Sequence, residues 1–398
     1  MTKRFRLRSL LLLLPLAFPV AGCDGGGSTD ASVDDLAASA DLMTPRDFAR
    51  TPDLLMGDFA VGPGDMVMLP PDDMALLPPN GLTVSTLSTG SFDQPFGITV
   101  DAVGASVWVA DYGNHTVQRI DAMTGKVLLT AGIPGTTGAQ NGAPGSATFN
   151  APTGVALDAM GNVYVADSGN NAIRKLTNNN GQYTVSTLAG GTRGTNDGNG
   201  AAAQFNLPNG ITVDAMGVTY VADCLNCAVR RITAAGDVTT LIGPDCLAMN
   251  SVYYARNIVR DGNGDFFTSD PSNHRIKRLA FPNNVPTADV YAGPAGALGM
   301  PGWKDGPADM AEFSSPYGIA FDKKGNIVVA DQGNHRVRRV LVGMMPTVET
   351  LAGVGPPGAS DGASLSQARF SGPRGVACDP NGVIYVADTG NKAIRKIK

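Results

Sequence analysis

The sequence predicts an all-β fold: a six-bladed β-propeller of four-stranded antiparallel blades, closed by the N-terminal strand and preceded by a disordered tether. Three observations predict it. The segment Val-Ala-Asp recurs at 109–111, 165–167, 221–223, 329–331 and 386–388, with Thr268-Ser269-Asp270 in the remaining place. Successive Asp residues therefore lie 56, 56, 47, 61 and 57 apart, a period that marks a repeat architecture. Within each copy the apolar residues alternate with a period of two, and 50 Gly and 27 Pro in 398 residues exclude long helices. Lastly, the sixth copy lacks a fourth strand, while Leu82-Thr83-Val84-Ser85-Thr86-Leu87 nearly duplicates Tyr183-Thr184-Val185-Ser186-Thr187-Leu188 of the second. Pairing that strand with the last copy closes the ring and removes an open sheet edge.

In chain order, residues 1–22 read as an export signal. Lys3, Arg4, Arg6 and Arg8 precede an apolar run from Leu10 to Val20 that is too short to span a bilayer. Val20-Ala21-Gly22-Cys23 resembles the lipobox of bacterial lipoproteins, which implies lipidation at Cys23. Acyl chains contribute about 0.8 kcal/mol per buried methylene, so a multiply acylated Cys anchors stably. The expectation is a cell-envelope protein held on the extracytoplasmic side of the inner or outer membrane. Residues 23–80 carry eleven Asp and no Glu against Arg46 and Arg50, with Asp41-Leu42, Asp53-Leu54, Asp65-Met66 and Asp73-Met74 spaced among prolines. Such composition reads as a disordered acidic spacer. The formal charge is +4 over 1–23, −9 over 24–80 and zero over 81–398. A neutral propeller on an exported chain argues against nucleic acid as a partner.

From 81 to 398 each copy divides into four strands. The inner strand ends in Asp, as in Gly318-Ile319-Ala320-Phe321-Asp322, and a turn such as Lys323-Lys324-Gly325-Asn326 follows it. The second strand has Trp108, Tyr164, Tyr220, Phe267, Val328 or Tyr385 three residues before its own Asp. A tight turn with Asn three residues after that Asp leads to a third strand of apolar-basic-basic-apolar type, as in Ile173-Arg174-Lys175-Leu176. The fourth strand is Thr-rich, and a long Gly-rich loop runs on to the next copy. The recurring Asp residues are expected to hold the turns by accepting backbone N–H groups. The paired basic residues of the third strands are expected to form solvated faces paired with acids, the domain holding 24 basic and 24 acidic residues.

Asp111-Tyr112-Gly113-Asn114-His115, Asp270-Pro271-Ser272-Asn273-His274 and Asp331-Gln332-Gly333-Asn334-His335 resemble the NHL-repeat family of β-propellers. So do Asp197-Gly198, Asp305-Gly306 and Asp361-Gly362, each followed by Phe205, Phe313 or Phe370 and then a Pro. The resemblance covers 81–398 and implies the fold. It leaves function open, since the family holds binding modules, scaffolds, RNA binders and a few enzymes. His115, His274 and His335 occupy the family's turn position on separate blades, so no shared metal is expected. Asn196-Asp197-Gly198-Asn199 has too few carboxylates for a calcium loop and is read as a turn.

The functional candidates are the residues at which the inner strands begin: Phe96, Thr153, Asn209, Arg256, Tyr317 and Arg374. The amidating lyase, a propeller of similar repeats, holds a catalytic metal with inner-strand His residues, and lactonase-like propellers use a channel Glu. None of the six residues here is His, Asp or Glu, so no catalytic residue, metal or cofactor is assigned. Arg256 and Arg374 would clamp an anion, with Tyr317 and Asn209 adding hydrogen bonds; alternatively the six are variable rim residues that touch only water. Of the cysteines, Cys246 is expected to bridge to Cys227 or Cys224, with Cys227–Cys246 preferred, and Cys378 to be a buried free thiol. The expected function is non-catalytic binding of a protein, glycan or small ligand by a monomer, through the face bearing the long loops and Trp303. The alternative is a propeller enzyme of the lactonase or lyase type with a non-standard channel site.

Overall fold

Second strands are the clearest elements because both of their faces are covered. Ser106–Asp111, Val163–Asp167, Thr219–Asp223, Phe266–Asp270, Ile327–Asp331 and Ile384–Asp388 are buried along their whole length, which is why they read as short unbroken apolar runs ending in Asp. The computed structural model describes residues 81–398 apart from 90, 244–253 and 295–298. Each second strand lies between an inner and a third strand in an antiparallel sheet, and six such sheets form the propeller. The first blade comprises Pro95–Val100, Ser106–Asp111, Thr116–Asp121 and Val127–Ala131. The fourth blade departs from the others in its inner strand, Ile258–Arg260, which has three residues where the rest have six.

The last blade is closed as the sequence predicts. Thr83–Thr89 pairs antiparallel with Ala393–Ile397, Val84 opposite Ile397 and Thr86 opposite Arg395, and so supplies the outer strand. The ring is thereby stapled by the two ends of the propeller, and no blade is left with an unpaired third strand.

The core is not central. It consists of six clusters, each shared by two neighbouring blades. One joins Trp108 and Ala110 of the first blade to Val163, Val165 and Leu176 of the second; another joins Tyr385 and Ile394 of the last to Val107, Val109 and Ile120 of the first. The residue three before each second-strand Asp is buried in every blade and lies in one of these seams.

The long loops do more than connect. In three blades the loop before the inner strand adds a two-residue fifth strand to the outer edge of the blade it leads into. These are Gly198–Asn199 on Asp237–Ile242, Gly306–Pro307 on Thr347–Ala352, and Gly362–Ala363 on Thr83–Thr89. In the second blade a single bridge between Gly142 and Val185 takes that place. Two residues carry no legible alternation, so these strands cannot be read from sequence.

The third-strand arginines are paired with acids as expected, but they are buried rather than solvated. Arg174, Arg230, Arg338 and Arg395 are at most 1% exposed. Each donates Nη1 to the Oδ2 of its blade's second-strand Asp, at 2.8 Å to Asp167 and Asp223 and 2.9 Å to Asp331 and Asp388. Nη2 donates to loop carbonyls and to Asp197, Asp305 or Asp361, or to Asn141 Oδ1 in the second blade. The guanidinium lies 5.0–5.3 Å from the centre of Phe149, Phe205, Phe313 or Phe370. The Asp-Gly loops are thus salt-bridge partners: Asp197, Asp305 and Asp361 also accept the N–H of Thr240, Thr350 and Thr86 on the outer strands. The second-strand Asp holds its turn as expected, accepting from Asn170, Asn226, Asn334 or Asn391 through Oδ2 and from a backbone N–H through Oδ1. Burial pushes Asp167 and Asp223 up to about 6, which leaves them ionised at neutral pH. In the first and fourth blades Gln118 and Lys277 replace the arginine.

His115, His274 and His335 adopt left-handed backbone at φ 58, 55 and 55°, and each Nδ1 accepts a backbone N–H from the next blade: Ala151, Ser315 and Gly372, at 3.0, 2.9 and 2.9 Å. Asn171 does the same in the second blade, accepting from Leu207 at 3.0 Å. These side chains latch blade to blade, which explains their repetition without any metal.

Replacing Arg338 by Ala strands Asp331 in the seam and is expected to destabilise the protein by about 3–5 kcal/mol in urea unfolding. A loss below 1 kcal/mol would show that the pair is incidental. The imidazoles give a pH dependence. Burial holds all three below the ordinary value of 6.5, and protonation removes the Nδ1 acceptor. Their contribution is full above about pH 6.5 and lost as pH falls through the lower folded values. The triple variant His115→Asn, His274→Asn, His335→Asn copies Asn171, so its Tm should fall less between pH 7 and 5 than that of the parent; parallel curves would refute the latch. Buried carboxylates are common to both proteins and cancel in the difference.

Candidate functional site

The inner strands approach one another so closely that five of them need Gly at their third position. A Cβ on Gly97, Gly154, Gly210, Gly318 or Gly375 would lie 2.1–2.4 Å from backbone of the next blade. The fourth blade has Asn257 there, whose N–H donates to Ser269 Oγ at 3.1 Å. This approach sets the width of the axis, around which three rings of side chains line a cavity of about 240 Å³. The middle ring is uniform and buried: Ile98, Val155, Ile211, Ile258, Ile319 and Val376. The ring at the strand ends is Val100, Leu157, Val213, Arg260, Phe321 and Cys378, and Arg260 is exposed.

The first ring holds all six sequence candidates: Phe96, Thr153, Asn209, Arg256, Tyr317 and Arg374. It is tighter than an open mouth, since Phe96, Thr153, Asn209 and Tyr317 are buried and only the two arginines are half-buried. Tyr317 bridges the axis, with its hydroxyl 3.5 Å from Asn209 Oδ1. Thr153 is structural: its hydroxyl lies 2.5 Å from Ser168 Oγ and donates to the Asn209 carbonyl at 3.1 Å.

The remaining members form a continuous stack. Tyr112 lies parallel on Phe96 with ring centres 4.6 Å apart, and the Arg374 guanidinium lies 4.1 Å from the Phe96 ring and 5.4 Å from Tyr317. Arg256 approaches the same Tyr317 ring at 5.6 Å. Two cations from the blades flanking Tyr317 thus share one aromatic ring, and no Asp or Glu is among the cavity-lining residues. Burial, with the Arg256 charge adding to it, holds Arg374 below the usual arginine range. Its Nε is buried without a hydrogen-bond partner. Sequence reasoning missed Tyr112. The available signal was its being the one aromatic at a position that is Ser168, Cys224, Pro271, Gln332 and Thr389 in the other copies.

Other candidates lie apart. Trp303 is 52% exposed and is stacked by Arg336 at 4.5 Å. Cys227 is disulfide-bonded, and the Cys246 half of the expected bridge lies outside the described residues, as does Cys23. Cys378 is a free thiol in the cavity wall, half-buried, and burial pushes it far above the ordinary thiol value. Among the described residues no three His, Cys, Asp or Glu gather as a metal site.

These features define a six-bladed β-propeller with an axial cavity. The chain carries NHL repeats: the NHL repeat model matches 149–176, 313–340 and 370–397, each match beginning at the Phe beneath a buried arginine. The chain is 28% identical to NHL repeat-containing protein 2 of Gallus gallus, over 76% of its own length and 46% of the relative's. It is 26% identical to Protein SUPPRESSOR OF QUENCHING 1, chloroplastic, of Arabidopsis thaliana, over 80% of this chain and 26% of that one. The chain therefore spans between a quarter and a half of these relatives. Among solved structures, an auxiliary nutrient binding protein from Bacteroides thetaiotaomicron superposes with a TM-score of 0.61 at 18% identity, over 80% of this chain and 76% of that one; the likeness is one of fold.

With its thiol raised so far, Cys378 is expected to resist iodoacetamide in the native protein at pH 8 and to be alkylated in urea. Peptide mass spectrometry distinguishes it from the other cysteines, and native labelling would show that the cavity admits the reagent.

Proposed function

We propose that the chain is a lipid-anchored, extracytoplasmic binding protein, monomeric and non-catalytic, whose propeller takes a small ligand at the first ring of its axial cavity. One observation supports this reading above the rest. The middle ring is uniformly aliphatic, as packing requires, whereas the first ring holds Phe, Thr, Asn, Arg, Tyr and Arg in a fold otherwise built by repetition. Packing gives no reason for that variety, but recognition does, since ligand sites combine apolar walls with a few convergent polar groups. The enzyme alternative would have to work without a carboxylate or imidazole at the axis, since the cavity lining holds neither. The lipobox supports anchoring at Cys23, and the acidic spacer would hold the propeller off a bilayer of like charge.

Two measurements test the two halves of this reading. Radiolabelled palmitate is expected to enter the expressed protein and to be lost in Cys23→Ser, which should move from the membrane to the soluble fraction; label retained in the variant would remove the anchor. A thermal-shift panel of saccharides, peptides and organic acids is expected to give a ligand whose effect disappears in Tyr317→Ala. Ligands whose effect survives that change would place binding elsewhere.

A further inference from the structure

The propeller contains its own standard for what a guanidinium requires on leaving water. Arg174, Arg230, Arg338 and Arg395 each lie against a phenylalanine, and each also has a buried Asp, loop carbonyls and a further Asp or Asn oxygen. Arg374 has the aromatic half of that environment and not the anionic half. Phe96 lies 4.1 Å and Tyr317 5.4 Å from its guanidinium. Its Nε is buried without a partner, as are those of Arg174 and Arg230, but unlike them it has no ion pair among the described residues. A second cation, Arg256, stands 5.6 Å from the same Tyr317 ring. Desolvated charge without a counter-charge is costly, and a like charge beside it adds to the cost.

We infer that the first ring is an oxyanion site anchored by Arg374, taking a small ligand that bears a carboxylate or phosphate group. The inference rests on the binding reading above and deepens it. Phe96 lies over one side of the guanidinium and Tyr317, perpendicular to Phe96, flanks it, so its N–H edge on the open side is what remains for a ligand. That edge is the fork which carboxylates and phosphates match with paired hydrogen bonds. Tyr317 and Asn209 supply the neighbouring polar groups, and the Phe96–Tyr112 stack supplies an apolar wall. A cavity of about 240 Å³ suits a small molecule rather than a chain segment.

The test uses the full-length protein in low-chloride buffer with inorganic phosphate, succinate and galacturonate as probes, and galactose as the neutral counterpart of the last. Tm and calorimetric titration are the readouts. At least one of the three anions is expected to raise Tm and bind saturably, to weaken as NaCl is added, and to bind at least tenfold more weakly to Arg374→Gln. Phosphate alone would mark a tetrahedral site, and the organic acids alone a carboxylate site. Asn209→Asp guards against a variant that fails to fold. It sets a negative charge in the same ring as Arg256 and Arg374, so anion binding should disappear while the unliganded Tm is kept. Anions that act no better than equal NaCl, or equally on parent and Arg374→Gln, overturn the inference. Galactose binding that is lost in Tyr317→Ala would overturn the oxyanion assignment while leaving the cavity as a ligand site. Binding of every probe unaffected by either substitution would remove both.

Discussion

The buried pairing of a third-strand arginine with a second-strand aspartate is the interaction on which most of this propeller depends. In four blades it joins three things that sequence separates widely: the tight turn after the second strand, the long loop that precedes the blade, and the blade's own outer edge. Arg338 shows the whole set, bonding to Asp331 beside the turn, to the Glu312 and Lys304 carbonyls of the loop, and to Asp305, which in turn holds Thr350. A loop so fixed no longer behaves as a loop. It becomes a fifth strand and a lid over the phenylalanine in the seam, which is how a Gly-rich sequence yields an ordered ring.

A second constraint follows from closing such a ring. Inner strands that meet backbone to backbone leave no space for Cβ at Gly97, Gly154, Gly210, Gly318 and Gly375. The neighbouring side chains must then face the axis in register, and three rings result. Uniform aliphatic packing in the middle ring leaves the first ring less constrained in chemistry. Its chemistry can therefore vary from blade to blade, and the most chemically distinctive pair, Arg256 and Arg374, flanks the blade that carries Tyr317. Four blades give their buried arginine a carboxylate partner. Arg374 has no ion pair among the described residues, and that contrast within one molecule is what gives it its meaning.

Much of this was legible in sequence because it is periodic. The Val-Ala-Asp repeat located the second strands, and the duplicated Thr83–Leu87 segment located the closing strand. The register of the inner strands placed Asn209, Arg256, Tyr317 and Arg374 around one axis. What misled was the third strand: Arg174-Lys175 alternates as a half-exposed strand should, yet the arginine is the buried member, because its acids come from positions 7 residues before it and, in the other blades, also 33 or 34 before it. Tyr112 was overlooked because a single aromatic in a turn has no period.

The sequence by itself determined the blade count, the strand order, the closure and the identity of the six residues at the axis, since each of these is carried by local alternation or by repetition along the chain. Only the tertiary structure decided which charges are buried, which loops become strands, and that Arg374 lies against Phe96 and Tyr317 without an ion pair among the described residues. Those outcomes depend on contacts between blades, where residues far apart in sequence meet at distances that no local pattern encodes.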